Sequence, residues 1–172
     1  MTAGLYATIG VRVREILAEA QRLGTGDPLP RNMLGEMLLA DELRHELVPG
    51  KLGPDARDAV GRLYEYKVTN ERVSGEHEGQ VWFKFSEGRD PSRIERKYGG
   101  LAGVICAHRR QYVSAFDLIL FVPPRAIAAD LVAKQRGGGR AEASYPVSTL
   151  RRLGAVPIAN ASDLDAVLRA MP

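Results

Sequence analysis

This 172-residue chain has little to build with outside ordinary side chains. It has one cysteine, three histidines, one tryptophan, and aromatic residues make up only 6% of it. A single thiol, Cys106, excludes an internal disulfide and any paired-cysteine redox or zinc motif. It lies in the apolar run Gly103-Val-Ile-Cys-Ala and reads as a structural thiol, not a nucleophile. His45, His77 and His108 stand far apart and form no metal-ligand spacing. No apolar run approaches membrane-spanning length, and no N-terminal apolar core with a cleavage site is present; the expectation is a soluble, cytoplasmic protein with no membrane partner. Charge of one sign is also lacking: 24 Lys and Arg oppose 21 Asp and Glu, for a formal +3. Net charge therefore neither demands nor forbids a nucleic-acid partner, and local placement has to decide. Neither a Ser-His-Asp set nor a phosphate-binding loop is present, since Gly137 to Gly139 lack the Lys-Ser/Thr and the preceding strand that such a loop needs.

What is present is concentrated in Gly53 to Lys67. Asp55 follows a proline, Val60-Gly61-Arg62 can reverse the chain, and an apolar-polar alternation ends in Glu65-Tyr66-Lys67. On a strand, residues two apart share a face, so Glu65 and Lys67 point one way and Tyr66 the other. If the turn brings Asp55 alongside, two carboxylates and an ammonium share one small volume. Such charges are not gathered for stability, because desolvation costs more than pairing returns. They do suit magnesium, which takes one or two carboxylates plus water and substrate phosphate. A neighbouring lysine can hold or help deprotonate the attacking water and can offset charge on the phosphorane. The chemistry is that of phosphodiester hydrolysis.

The rest of the chain divides into helices first and a sheet afterwards. Leu5, Ile9, Val13, Ile16, Leu17, Ala20 and Leu23 recur at helical spacing, with Gly24 as a stop. That stripe either packs on its own domain or forms a dimer surface. A second helix is expected over about Asn32 to Leu47, with Glu36 near its start. Glu36 either complements the helix dipole or reaches the acidic site as an accessory carboxylate. Strands are expected at about Asp55 to Asp58, Leu63 to Thr69, Gln80 to Phe85, Gly103 to His108 and Tyr112 to Val122, and a last one at Ala155 to Ile158. Asn70 to Gly79 reads as a turn or loop and Ser92 to Tyr98 as a short helix. Pro123-Pro124 opens a helix over Arg125 to Gln135, Arg136 to Arg140 is a flexible Gly-rich segment, and Pro146-Val147 leads into a helical turn. Ser162 to Asp165 starts a final helical turn or two. The expected fold class is α/β (α+β) in one domain spanning 1–172: a mixed, mostly antiparallel sheet flanked by helices. Residues 1–47 are the helical part, 53–122 the catalytic sheet and 123–172 the flanking part.

Asp, a gap, then Glu-x-Lys is the signature of the PD-(D/E)xK nucleases, and the chain resembles their PvuII-like type II restriction endonucleases. The resemblance runs through Val48-Pro49-Gly50-Lys51, Gly53, Asp55-Ala56, Asp58, Gly61 and Tyr64-Glu65-Tyr66-Lys67. It continues through Lys97-Tyr98, the strand pair from Gly103 to Val122 with Pro124 after it, and Tyr145-Pro146-Val147. It is collinear from about Leu34 to Gly154. It implies a restriction-endonuclease-like core and a magnesium site at Asp55, Glu65 and Tyr66. Lys67 would assist the water, and Tyr98 would lie near it. A homodimer acting on a palindromic site in double-stranded DNA, products with 5′-phosphates, and a cognate DNA methyltransferase in the same system are also implied.

Base-reading residues are implied in two segments, Ser86, Glu87, Arg89 and Asp90 in the first, Arg140, Glu142 and Ser144 in the second. Arg136 stands ready for phosphates or base edges. The family's histidine run and asparagine pair are missing from these segments, so the recognition sequence is open. Arginine prefers guanine edges and carboxylates accept from the cytosine amine. The rival expectations are another nuclease on the same motif, a junction resolvase or repair nuclease, or a non-catalytic DNA-binding protein on this scaffold.

Overall fold

A computed structural model describes residues 3–23, 33–48, 53–70, 81–87, 90–109, 114–135 and 141–171. Two helices come first, α1 (Ala3–Leu23) and α2 (Met33–Leu43). Val13 and Leu17 of α1 are buried against Leu38 of α2, so that part of the stripe packs on its own domain. Ile16, expected in the stripe, is 52% exposed and lies beside it, not in it.

The second helix is shorter than expected. Arg44 adopts a left-handed backbone (φ 55°), which few non-glycine residues do, and the His45 N–H returns to the Ala40 carbonyl at 2.8 Å. That closes α2 at Leu43 and releases Glu46–Leu47 as a short strand, β1.

β1 pairs antiparallel with β2 (Ala56–Arg57), and β2 pairs antiparallel with β3 (Leu63–Asn70). The turn between β2 and β3 rests on Gly61, whose φ of +85° a side chain would strain. Asp58 fixes the same turn by accepting from the N–H groups of Val60 (3.0 Å) and Arg62 (2.9 Å).

β3 then pairs in parallel with β5 (Gly103–Arg109), which pairs antiparallel with β6 (Phe116–Val122), and β6 with β8 (Val156–Pro157). The six-stranded order is β1-β2-β3-β5-β6-β8. The sheet is mixed and mostly antiparallel, flanked by helices, as expected. All seven residues of β5 are buried, as a strand covered on both faces requires. Val104, Cys106, Leu120 and Val122 face one hydrophobic cluster, with Ile94 and Tyr98 of α3 (Pro91–Gly99) and Ile127 and Leu131 of α4 (Pro124–Gln135). Ile105, Ala107, Ile119 and Phe121 face the other, with Leu39 and Leu43 of α2 and Leu164 of α6 (Ala161–Ala170). α6 runs ten residues, longer than the turn or two expected, because Asn160 caps it by accepting from the N–H groups of Ser162 and Asp163.

The strand Trp82–Glu87 (β4) is not in this sheet. It pairs antiparallel with β7 (Ala141–Pro146), whose strand character was not expected, in a separate two-stranded ribbon. Its inner side holds Phe83, Phe85 and Tyr145 in the first cluster, while Trp82, Lys84 and Ser86 alternate outward. α5 (Val147–Arg152) follows β7 directly. Among the described residues no helix is long and apolar enough to cross a membrane.

Candidate active site

The site forms where β3 leaves the turn. The register places Glu65 beside Val104 and Lys67 beside Cys106, so both side chains project on the α3 and ribbon side of the sheet. Tyr66 projects the other way. Its hydroxyl is hydrogen-bonded to His45 Nδ1 at 2.7 Å, and its ring lies in the α2 side of the core. Tyr66 therefore offers the site its main chain alone. Its N–H donates to Asp55 Oδ2 at 2.7 Å, and the Asp55 N–H donates to the Tyr64 carbonyl at 2.9 Å. The expected meeting of Asp55 with the Glu65–Lys67 strand is present in the fold.

An open cleft of about 420 Å³ lies over this point, with Glu36, Asp55, Lys67, Trp82, Lys84 and Ser86 among its walls. Glu36 reaches it because α2 packs closely on β3; a Cβ added at Gly35 would stand 2.8 Å from a Val68 methyl. Burial, then the charge of Asp55, pushes the Glu36 carboxyl up to about 7, with Lys67 opposing. Asp55 is also held above the ordinary carboxylate range, by burial first and by Glu65 second, against the Tyr66 N–H and Lys67. Three acids and one lysine thus influence one another across the cleft, an arrangement whose charge a cation would relieve.

Glu65 sits beneath the cleft wall, 4% exposed. Lys67 Nζ donates to its Oε1 at 2.5 Å, and Lys97 Nζ of α3 donates to the same oxygen at 2.8 Å. The other oxygen, Oε2, is buried and has no hydrogen-bond partner. Lys97 continues to Glu87 Oε1 at 3.0 Å, which also accepts from the Tyr98 hydroxyl at 2.8 Å. Burial works against the Lys97 charge, but Glu65 and Glu87 outweigh it and hold its pKa above the usual lysine value. Burial, then Glu87, raises the Tyr98 hydroxyl far above the ordinary phenol value, so it is a donor and not a base.

Among the described residues no group of three or more His, Cys, Asp or Glu is placed to hold a metal. The donor set that exists is two carboxylates, one of them with an orphaned buried oxygen, and the main chain between them. That fits a hard ion which keeps several waters and takes substrate oxygens, and it does not fit a closed structural zinc site.

The other sequence-derived candidates are dispersed. Ser86 lines the cleft. Glu87 belongs to the lysine network and not to an exposed turn. Asp90 caps α3 by accepting from the Ser92 N–H at 2.9 Å. Ser144 is exposed on the ribbon, across from Lys84, and Glu142 pairs in register with Ser86. Arg89, Arg136, Arg140 and His77 lie outside the described residues. Lys97 was legible only as half of a Lys-Tyr pair, Glu36 only as a possible accessory acid. Neither the spacing nor the alternation around them signals a shared site. The chain matches no protein-family model, and no curated protein matches it significantly.

Proposed function

We propose that this chain is a magnesium-dependent endonuclease of the PD-(D/E)xK type that cuts double-stranded DNA. The observation that supports the reading is the Asp55 carboxylate fixed on the Tyr66 N–H, beside the Glu65–Lys67 pair, under one cleft. Asp55 and Glu65, with the Tyr66 carbonyl, would hold the ion, which when bound supplies Lewis-acid activation of a water and of the phosphate. Lys67 is the group that lies both on Glu65 and in the cleft wall. There it holds the attacking water and offsets negative charge on the pentavalent phosphate. Lys84 and Trp82, at the mouth of the cleft, meet the backbone and a nucleotide face.

The finer reading is a type II restriction endonuclease. A homodimer would cut both strands of a short palindromic site, leaving 5′-phosphates, with the outward side of the ribbon toward the DNA and a cognate methyltransferase protecting the host. The test is digestion of a large unmethylated DNA with magnesium, followed by sequencing of the ends. Ends sharing one short palindrome support a restriction enzyme. Ends set by junctions or other DNA shapes point instead to a resolvase or repair nuclease. Site-specific binding without cutting indicates a DNA-binding protein on this scaffold, and no cutting or binding overturns the proposal.

A further inference from the structure

Glu65 carries two ammonium groups on one oxygen, one of which it shares with Glu87. The two lysines are not equivalent. Among the described residues Lys67 bonds to Glu65 alone; it stands 5.6 Å from the centre of the Phe85 ring and forms part of the cleft wall. Lys97 is not among the residues of that wall. It spans Glu65 Oε1 and Glu87 Oε1, at 2.8 and 3.0 Å, from a helix whose Tyr98 is tied to the same Glu87 oxygen. Glu65 and Glu87 side chains are 5% and 11% exposed, so each depends on a protein partner for its charge.

Resting on the nuclease reading, we infer that Lys97 is a positioning residue that holds the Glu65 carboxylate in place and keeps a cation on it, so that Lys67 can leave Glu65 for the water and the phosphate. Among the described residues Lys67 has one hydrogen bond to give up when it swings into the cleft. Glu65 then keeps a cation on Oε1, and its carboxylate would stay in place to help hold a metal. The same bridge joins the main sheet, through Glu65, to the end of β4, through Glu87. The carboxylate and the ribbon edge therefore hold a common position. Partners of this kind, one shell out from a metal ligand, set its orientation and charge without touching substrate.

Three variants of the full chain test this: Lys97→Met, Glu87→Gln and Lys67→Met. Thermal unfolding without metal or DNA is read first. Lys97→Met leaves buried Glu87 with the Tyr98 hydroxyl but no cation and Glu65 with Lys67 alone, and lowers Tm by roughly 3–10 °C; Lys67→Met, which leaves Lys97 on both carboxylates, lowers it by less than half as much. Single-turnover cleavage is then measured well below every Tm. Lys97→Met slows cutting by about 10- to 100-fold and raises the magnesium concentration for half-maximal rate by about 10-fold. Affinity for uncut DNA in calcium stays within about 3-fold of the wild type. A structural defect alone lowers the folded fraction and leaves the magnesium midpoint in place. Glu87→Gln shows the same pattern to a smaller degree. Cutting by Lys97→Met within about 3-fold of the wild type overturns the inference, as does an unshifted magnesium midpoint. Equal loss of Tm in the two lysine variants overturns it as well. If the wild-type chain cuts no DNA, the nuclease reading falls by itself, and the order of the Tm losses still decides which lysine holds Glu65.

Discussion

The two faces of β3 are built from alternating residues of one eight-residue strand, and they are finished differently. On the α2 side, Tyr64 and Tyr66 are fully packed and their hydroxyls reach Asp58 (2.9 Å) and His45 (2.7 Å). Asp58 gathers Val60, Arg62 and Tyr64, Arg62 goes on to Asp165 at 2.8 Å, and His45 stacks on Tyr64 at 4.3 Å between centroids. On the α3 side, Glu65 has one oxygen with two cations and one with none, and Asp55 carries a raised pKa. The first face spends its polar groups on each other. The second holds back bonding capacity, which costs stability and is what a metal or a phosphate would fill. A polar network is thus read as structural or functional by how completely it satisfies itself, not by how many charges it contains.

Removing Lys67 is expected to break the second face most. Lys67→Ala should slow cleavage roughly 100- to 1,000-fold while calcium-supported binding of the same DNA persists. Single-turnover rates with parallel binding titrations check this, and near wild-type cutting removes Lys67 from the chemistry. Next, Asp55→Asn should raise the magnesium requirement and slow magnesium-dependent cutting by roughly 10- to 100-fold, because an amide is a poor substitute for a charged oxygen ligand. Its Tm at pH 8 should nevertheless equal or exceed that of the wild type, since the buried Asp55 charge is a cost and the amide oxygen still accepts from Tyr66. A variant that is both inactive and clearly less stable would place Asp55 with the self-satisfied face. On that face, Tyr66→Phe should cost about 1–3 kcal/mol by leaving buried His45 without its partner; chemical denaturation measures it.

The packed face and the cleft should also answer pH with opposite signs. His45 is pushed down to about 4, chiefly by burial, so between about pH 4 and 6.5 the unfolded chain holds a proton that the folded chain does not. Its contribution therefore rises with pH through that window and is lost on acidification. Glu36 is raised to about 7, so between about pH 4.5 and 7 the folded chain holds the extra proton, and that contribution declines as pH rises. Unfolding free energies across pH 4 to 8 should show Glu36→Gln with a steeper rise than the wild type. An unchanged slope would mean that Glu36 is solvated as an ordinary surface acid. The smallest effect is expected at the cleft mouth. Lys84→Ala should weaken DNA binding equally for all sequences and reduce the salt slope by about one unit. A sequence-dependent loss would make Lys84 a base reader.

The sequence was informative wherever local periodicity carried the information. Alternation put Glu65 and Lys67 on one face, and Gly61 with Asp58 marked the turn that returns the chain beside Asp55. Alternation does not say which neighbour a face will meet. Lys97 and Glu87 are 32 and 22 positions from Glu65, on a helix and on a second sheet, and only tertiary packing brings them to its carboxylate. β7 was read past because Ala141 to Ser144 is short and weakly apolar, and its strand form depends on pairing with β4. The second helix looks longer in the sequence than it is because Arg44 gives no sign of the left-handed turn it makes, and Leu47 continues a helical spacing by coincidence.

The parallel pairing of β3 with β5 has a consequence for how the molecule comes into being. A parallel pair cannot be closed by a hairpin; its chain must travel out and back, and here that excursion carries β4, Glu87, Lys97 and the whole of α3. Until β5 has been synthesised and has docked on β3, Glu65 has no neighbouring strand on that side. The excursion that delivers Lys97 is until then an open loop of high closure entropy. Assembly of the cluster is thereby tied to a long-range, late event in folding. A ribosome-bound or prematurely terminated chain that ends before Gly103 carries Asp55, Glu65 and Lys67 in full but no closed site. The topology withholds the assembled cluster from fragments and grants it only to a chain that has made and folded its central strand.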